Sequence, residues 1–175
     1  MKRTLAASRI SVLVLVAFVM SGVGCASTAY KKFDVNIALD SSTPAGTTVP
    51  VDIIALGGDR AAELESMQMR KYWALNDPYR AGLLASGELW TVELSAENPT
   101  AKLKASDADF WNSKTWKSGG KLFVMAYIRG VGPSQGRDPR RRSIDRTPEL
   151  WDQKVIDVTV TPSGITYSPT EKAAR

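Results

Sequence analysis

Three sets of residues in this 175-residue chain are of types that do chemistry. The first is Arg140-Arg141-Arg142, with Arg137 and Arg146 close by. These five guanidiniums lie within residues 130–146 against only Asp138 and Asp145. A guanidinium keeps its charge and presents a rigid fork that matches phosphate. Arg137, Arg140, Arg141 and Arg142 are therefore candidates for an anionic surface: lipid headgroups, lipopolysaccharide phosphates or an acidic protein face. A plain solvated loop is the alternative. The second set is the carboxylate pairs Asp107/Asp109 and Glu93/Glu97, the residue types of a glycosidase acid and base. Asp107 and Asp109 stand two apart and would not share a helix face, and a capping role accounts for them. The third is Cys25, the one cysteine.

What is missing narrows the chemistry further. The chain has no histidine, which removes Ser-His-Asp and Cys-His nucleophile systems, His-ligated zinc and the commonest general base at neutral pH. Gly130-Val131-Gly132-Pro133 follows an apolar run but leads into proline and arginines rather than a helix, so phosphate-loop and dinucleotide fingerprints both fail. The inventory points to a non-enzymatic protein with no cofactor and no metal.

Cys25 gains its meaning from what precedes it. Lys2, Arg3 and Arg9 form a basic lead, Ile10 to Met20 an apolar core of 11 residues, and Gly22-Val23-Gly24 a small-residue exit. That is the layout of a secretory signal peptide, and its core is short of the roughly 20 residues a spanning helix needs. Gly22-Val23-Gly24-Cys25 resembles the bacterial lipobox, with Gly22 where Leu is usual. The resemblance implies cleavage before Cys25 and a lipid on its sulfur. Ala26 stands where an Asp would signal inner-membrane retention, so the expected anchor is the outer membrane, with the chain facing the periplasm. A chain that leaves the cytoplasm is a poor nucleic-acid binder. The expected organisation is a signal peptide over 1–24, a lipidated tether over 25–32, one domain over 33–167 and a flexible tail over 168–175.

Charge and size fit one exported domain. The formal net charge is +5, but the lead carries three of those charges, leaving +2. Residues 130–146 carry +3, so the rest of the exported chain is close to neutral. The 151 residues from Cys25 onward can bury about 68–70% of their unfolded surface without disulfides or metal.

Period-2 alternation predicts strands at Phe33–Ile37, Val49–Leu56, Leu89–Leu94 and Val155–Thr161, with a short edge strand at Thr100–Lys104 and another at Ile165–Tyr167. Lys121–Arg129 (KLFVMAYIR) is apolar on both faces, as in a central strand. Asp40–Thr48 (DSSTPAGTT) reads as a loop. Ala61, Leu64, Met67 and the stem of Lys71 recur at helical spacing, predicting a short helix over Arg60–Trp73 broken by Asn76-Asp77-Pro78. Ser106-x-x-Asp109 resembles a capping box for a second helix carrying Phe110, Trp111 and Trp116, stopped by Gly119-Gly120. Those aromatics can form a stacking or protein-binding surface, but at this spacing they read as core closing one end of the domain. About six to eight short strands with two short helical inserts and no βαβ rhythm make an all-β sandwich.

A family resemblance rests on particular stretches. Val49-Pro50-Val51-Asp52-Ile53-Ile54-Ala55-Leu56 is similar to the Pro-Val-x-Val-x-x-x-x-Leu run of TssJ, the outer-membrane lipoprotein family of type VI secretion systems. Glu63–Ser66, Leu75-Asn76-Asp77 and Leu83-Leu84 take the places of the family's helical segment and Leu-x-x-Asp-Asp run. Phe123–Arg129 resembles its late central strand, an apolar run ending in Ala-x-Tyr-Arg. The family's Asn-Pro after the first strand is Asp40-Ser41-Ser42 here, and the arginine stretch is not a family feature. The resemblance spans about residues 30–167. It implies a transthyretin-like sandwich that docks the periplasmic part of the inner-membrane protein TssM. The docking loop then maps to Asp40–Thr48, with Asp40, Ser41, Ser42, Thr43, Pro44 and Thr48 as the partner-binding candidates.

Overall fold

The computed structural model describes residues 29–133 and 137–169. The predicted signal peptide, Cys25 and nearly all of the tail lie outside the described residues.

Among the described residues eight strands run in chain order: β1 (Asp34–Leu39), β2 (Val49–Leu56), β3 (Trp90–Leu94), β4 (Thr100–Leu103), β5 (Lys121–Ala126), β6 (Arg141–Asp145), β7 (Val155–Thr161) and β8 (Gly164–Ser168). They form two four-stranded sheets, β4-β1-β7-β8 and β3-β2-β5-β6. Only the β1–β7 pair is parallel among these strands. This is the transthyretin-like sandwich that the resemblance implies. Val35, Ile37, Ile156, Val158 and Val160 come from the first sheet, and Val51, Ile53, Leu122 and Val124 from the second, into one buried apolar cluster.

The second sheet is covered on both faces, which is why β5 reads as a continuous apolar run. Register places Asp52 opposite Met125 and Ile54 opposite Phe123, and directly opposed residues project to one side of a sheet. That side meets the helical insert between β2 and β3, made of α1 (Gly58–Ser66), α2 (Met69–Tyr72) and α3 (Pro78–Ala85).

The insert corrects the predicted single helix in three respects. The single helix expected over Arg60–Trp73 is two, because Met67 is extended (φ −68°, ψ 134°). Met69 and Tyr72 are buried while Lys71 is exposed, contrary to the stem burial expected. Asn76-Asp77-Pro78, predicted to break a helix, begins one instead: α2 has already stopped at Tyr72. Asp77 accepts hydrogen bonds from the backbone N–H groups of Tyr79 and Arg80, with Pro78 at the first helical position, where its missing N–H costs nothing.

The second insert, α4 (Ala108–Trp111) and α5 (Lys114–Ser118), lies between β4 and β5. Trp111 and Trp116 are fully buried, their rings edge-to-face at 5.1 Å and 90°. Their indole N–H groups are satisfied by the Lys104 and Glu88 carbonyls at 2.8 and 2.6 Å. They are core, as the spacing predicted. The capping box does not form. Asp107 turns back to the Lys104 N–H at 2.8 Å, and Ser113 caps α5. After α5 the chain passes so close to β2 that a Cβ on Gly119 would lie 2.5 Å from the Ala55 carbonyl carbon. Only glycine fits there.

A further correction concerns the arginines. The arginine stretch, for which a plain solvated loop was the alternative reading, contains β6, paired antiparallel with β5 from Lys121↔Asp145 to Met125↔Arg141. β5 in turn stops at Ala126, leaving Tyr127–Arg129 outside the strand.

Candidate functional site

β1 delivers the chain to the Asp40–Thr48 loop at one end of the sandwich. The start of the loop is pinned by two backbone bonds, Leu39 N to Pro99 O (2.7 Å) and Asp40 N to Val160 O (2.8 Å). The Asp40 carboxylate accepts from the Ser42 hydroxyl and, at 2.8 Å, from the Ser42 N–H. These bonds hold its pKa below the ordinary carboxylate value. Thr43 N donates to Asp40 O at 3.0 Å and Thr47 N to Pro44 O at 3.2 Å. Gly46 supplies the positive φ (77°) of the second turn. The segment is thus two successive turns with a fixed course.

These turns wall a cleft of about 490 Å³. Thr43, Pro44 and Thr48 come from the loop, and Tyr127, Ile128 and Arg129 face them from the segment after β5. Thr43 Oγ1 is buried without a hydrogen-bond partner among the described residues. Tyr127 is 37% exposed and packs on Trp73 (centroids 5.7 Å apart), over which the Arg80 guanidinium lies at 4.7 Å. Tyr, Trp and Arg are the residue types that dominate binding energy where proteins meet. The loop stands out in the sequence, whereas Tyr127–Arg129 do not. Their signal was the polar end of an otherwise apolar run, where Tyr127 N–H bonds to Pro50 O (2.9 Å) beyond the last ladder pair, Val51↔Ala126.

The four arginines singled out in the sequence differ in burial and in what they bind, although Arg137, Arg141 and Arg142 border one groove. Arg137 is exposed. Arg140 is buried and forms a two-pronged pair with Asp138, at 2.8 and 2.6 Å. Arg141 reaches the C-terminal end of α1, donating to the carbonyls of Leu64, Glu65 and, at 2.8 Å, Met67. Arg142, half-buried, donates to the Arg141 carbonyl at 2.9 Å. Burial lowers the pKa of both Arg141 and Arg142. Arg146 is deeply buried. It donates to the carbonyls of Lys31 (2.8 Å), Trp116 (2.6 Å) and Gly119 (2.5 Å), and burial pushes its pKa down to about 10.

The carboxylate pairs are taken up locally. Asp107 bonds to the Lys104 N–H, and Glu97 accepts from the Ser95 hydroxyl at 2.8 Å, which lowers its pKa. Glu93 and Asp109 are exposed. Among the described residues, no group of three His, Cys, Asp or Glu side chains is placed to hold a metal ion, and no helix is long and apolar enough to cross a membrane.

Fold and cleft together define a transthyretin-like β-sandwich that presents a loop-walled cleft at one end. No family model matches the chain, and no curated protein matches it. Among solved structures it is similar to a chain of a type VI membrane complex, at 16% identity and a TM-score of 0.49, over 80% of this chain and 99% of that one. It is also similar to Lip of Serratia marcescens, a membrane-bound component of the type VI secretion system. The identity there is 12% and the TM-score 0.47, over 81% and 98% of the two chains. A third is the type VI secretion lipoprotein TssJ1 of Pseudomonas aeruginosa, with 14% identity and a TM-score of 0.42 over 83% and 99%.

Proposed function

We propose that this chain is a periplasm-facing lipoprotein, anchored in the outer membrane through Cys25, that docks the periplasmic part of TssM in a type VI secretion membrane complex. The observation that carries the reading is the placement of two ends on one strand. The chain enters β1 where Arg146 holds it, with Lys31 N–H bonded to Arg146 O (2.9 Å), Lys31 Nζ to Trp151 O (2.7 Å) and Phe33 edge-on to Trp151 at 5.0 Å. It leaves β1, six residues later, in the Asp40–Thr48 loop. At about 3.3 Å per residue the strand separates the two by about 20 Å. A lipid on Cys25, just before the latched segment, therefore supplies the membrane term at one end, about 0.8 kcal/mol per buried methylene. The cleft of Asp40–Thr48 and Tyr127–Arg129 faces away from that end, toward a partner crossing the periplasm. The stretches similar to the TssJ family supply the partner's identity.

The test is a pull-down of the full-length chain from envelope extracts of its own cell, with Asp40–Thr48 intact or shortened, read by mass spectrometry. Recovery of TssM that is lost with the shortened loop is the expected result. Recovery of no secretion component, or capture indifferent to the loop, overturns the proposal.

A further inference from the structure

A second recess lies on another part of the molecule and shares no lining residue with the cleft. It is a groove of about 770 Å³ along the outer side of β6, bordered by Glu65 of α1, Lys121 of β5 and Tyr167 of β8. β6 ends its sheet, so among the described residues no strand lies beside its far edge. Ala126 N–H bonds to Arg140 O and Arg146 N–H to Gly120 O. By the alternation of an antiparallel ladder, the Ser143 N–H then points away from β5, on the groove side.

The charges in this groove do not cancel. Lys121 is paired with Glu65 at 2.7 Å, and Asp138 with Arg140 at 2.6 Å. Arg141 spends its guanidinium on the carbonyls that end α1. Asp145 accepts from the Thr147 N–H at 2.8 Å. Lys121, Arg137, Arg141 and Arg142 line the groove against Glu65, Asp138 and Asp145; Arg137 and Arg142 belong to neither of the two ion pairs, and Arg142 keeps one bond, from Nη1 to the Arg141 carbonyl at 2.9 Å. After burial, the nearby charge of Arg137 is a further influence lowering the pKa of Arg142. Two guanidiniums lining one groove repel each other, and an anion between them relieves that repulsion. A guanidinium fork grips a phosphate through two parallel hydrogen bonds.

We infer that the β6 groove is a binding site for a phosphate-bearing ligand, held by Arg137 and Arg142 with the outward Ser143 N–H as a further donor. Phosphate monoesters of this kind occur free in solution and on lipid headgroups, and the groove chemistry is common to both.

The experiment titrates the full-length chain, in a neutral detergent, with glycerol 3-phosphate and separately with short-chain phosphatidic acid, by calorimetry. Binding of either is expected, weakened about tenfold or more by Arg142→Gln and again by Arg137→Gln, since each removes a charge-assisted contact. Lys117→Gln removes an equal charge from the exposed end of α5 and is expected to leave binding unchanged. Binding of phosphatidic acid alone would identify a lipid headgroup as the source, and binding of both a free phosphate ester. Thermal unfolding of each variant establishes that it is folded. Failure of both probes to bind, or weakening by Lys117→Gln as large as by Arg142→Gln, would overturn the inference. The TssM pull-down does not depend on these residues, so the two proposals can fail separately.

Discussion

Asp52 and Arg80 form a two-pronged pair, Oδ2 to Nε at 2.7 Å and Oδ1 to Nη2 at 3.2 Å, joining the centre of β2 to α3. Asp52 is fully buried and also accepts from the Tyr72 hydroxyl (2.9 Å) and Thr91 Oγ1 (3.0 Å), so both oxygens are satisfied. Burial first, then the Asp52 charge, pushes the Tyr72 phenol above its ordinary pKa and keeps it a donor. Burial works against the charge on Arg80, yet the bond and attraction to Asp52 outweigh it and its pKa stands raised. The same guanidinium lies over Trp73, which packs on Tyr127 of the cleft. One buried carboxylate thus fixes the helical insert on the sheet and one wall of the candidate docking site.

Removing one partner of a buried pair leaves an uncompensated charge and costs about 3–5 kcal/mol. The side chain of Arg80 is 25% exposed and can turn to water, so Asp52→Ala is expected at the lower end, about 3 kcal/mol. The double change Asp52→Ala/Arg80→Met should cost less than Asp52→Ala alone, because no stranded cation remains. Urea unfolding of the three variants reads this directly. A double variant less stable than Asp52→Ala would contradict the pairing.

Arg146 binds three carbonyls from two distant parts of the chain and stacks over Trp111 at 5.0 Å. Arg146→Met keeps the stem and removes the donors, stranding carbonyls at about 1–3 kcal/mol for each one left dry. The expected global loss is about 3 kcal/mol. Release should concentrate at Lys31 and at the end of α5. Amide exchange on the variant should therefore accelerate at Lys31–Phe33 more than in β2. Uniform acceleration would mean that the latch is not local.

Much of the sandwich was legible because its strands announce themselves locally. β2 and β7 have the bounds that alternation predicts, and Trp111 and Trp116 are core as their spacing implies. Other elements depend on partners that the sequence does not display. Arg-Arg-Ser-Ile-Asp has a single apolar residue to mark it as a strand, yet β6 forms because Arg141 faces the end of α1 and Ile144 is buried. Asp77-Pro78 reads equally well as a stop and as a start, and the Asp52–Arg80 pair favours α3. In the candidate site, Asp40–Thr48 stood out by composition. Tyr127–Arg129 did not, because continuous apolarity hid where β5 stops.

Arg141 and Arg142 are neighbours with opposite structural roles. α1 has no basic residue in its last turn, and Arg141 supplies that charge and the hydrogen bonds from across the fold. Arg141→Gln should cost about 1–2 kcal/mol, whereas Arg142→Gln, on the groove side, should stay within about 0.5 kcal/mol. Thermal unfolding of the two single variants separates them. Equal losses would assign Arg142 a structural role as well.

Glu88 gives the fold a dependence on acid. Its carboxylate accepts from Arg60 at 2.7 Å and from the Thr115 hydroxyl, and the Arg60 bond leads in holding its pKa below the ordinary 4.5. A carboxylate whose pKa falls on folding contributes stability that is present above its unfolded value and lost as pH drops through the folded one. Arg60 is 44% exposed, so solvent screening limits that contribution to about 1 kcal/mol or less. Glu88→Gln should therefore be less stable than the unaltered chain at about pH 7, with the difference closing as pH falls below the folded pKa of Glu88. Urea unfolding across that range checks the sign. A gap of constant size would show that Glu88 acts through its shape and neutral hydrogen bonds, with its charge contributing nothing.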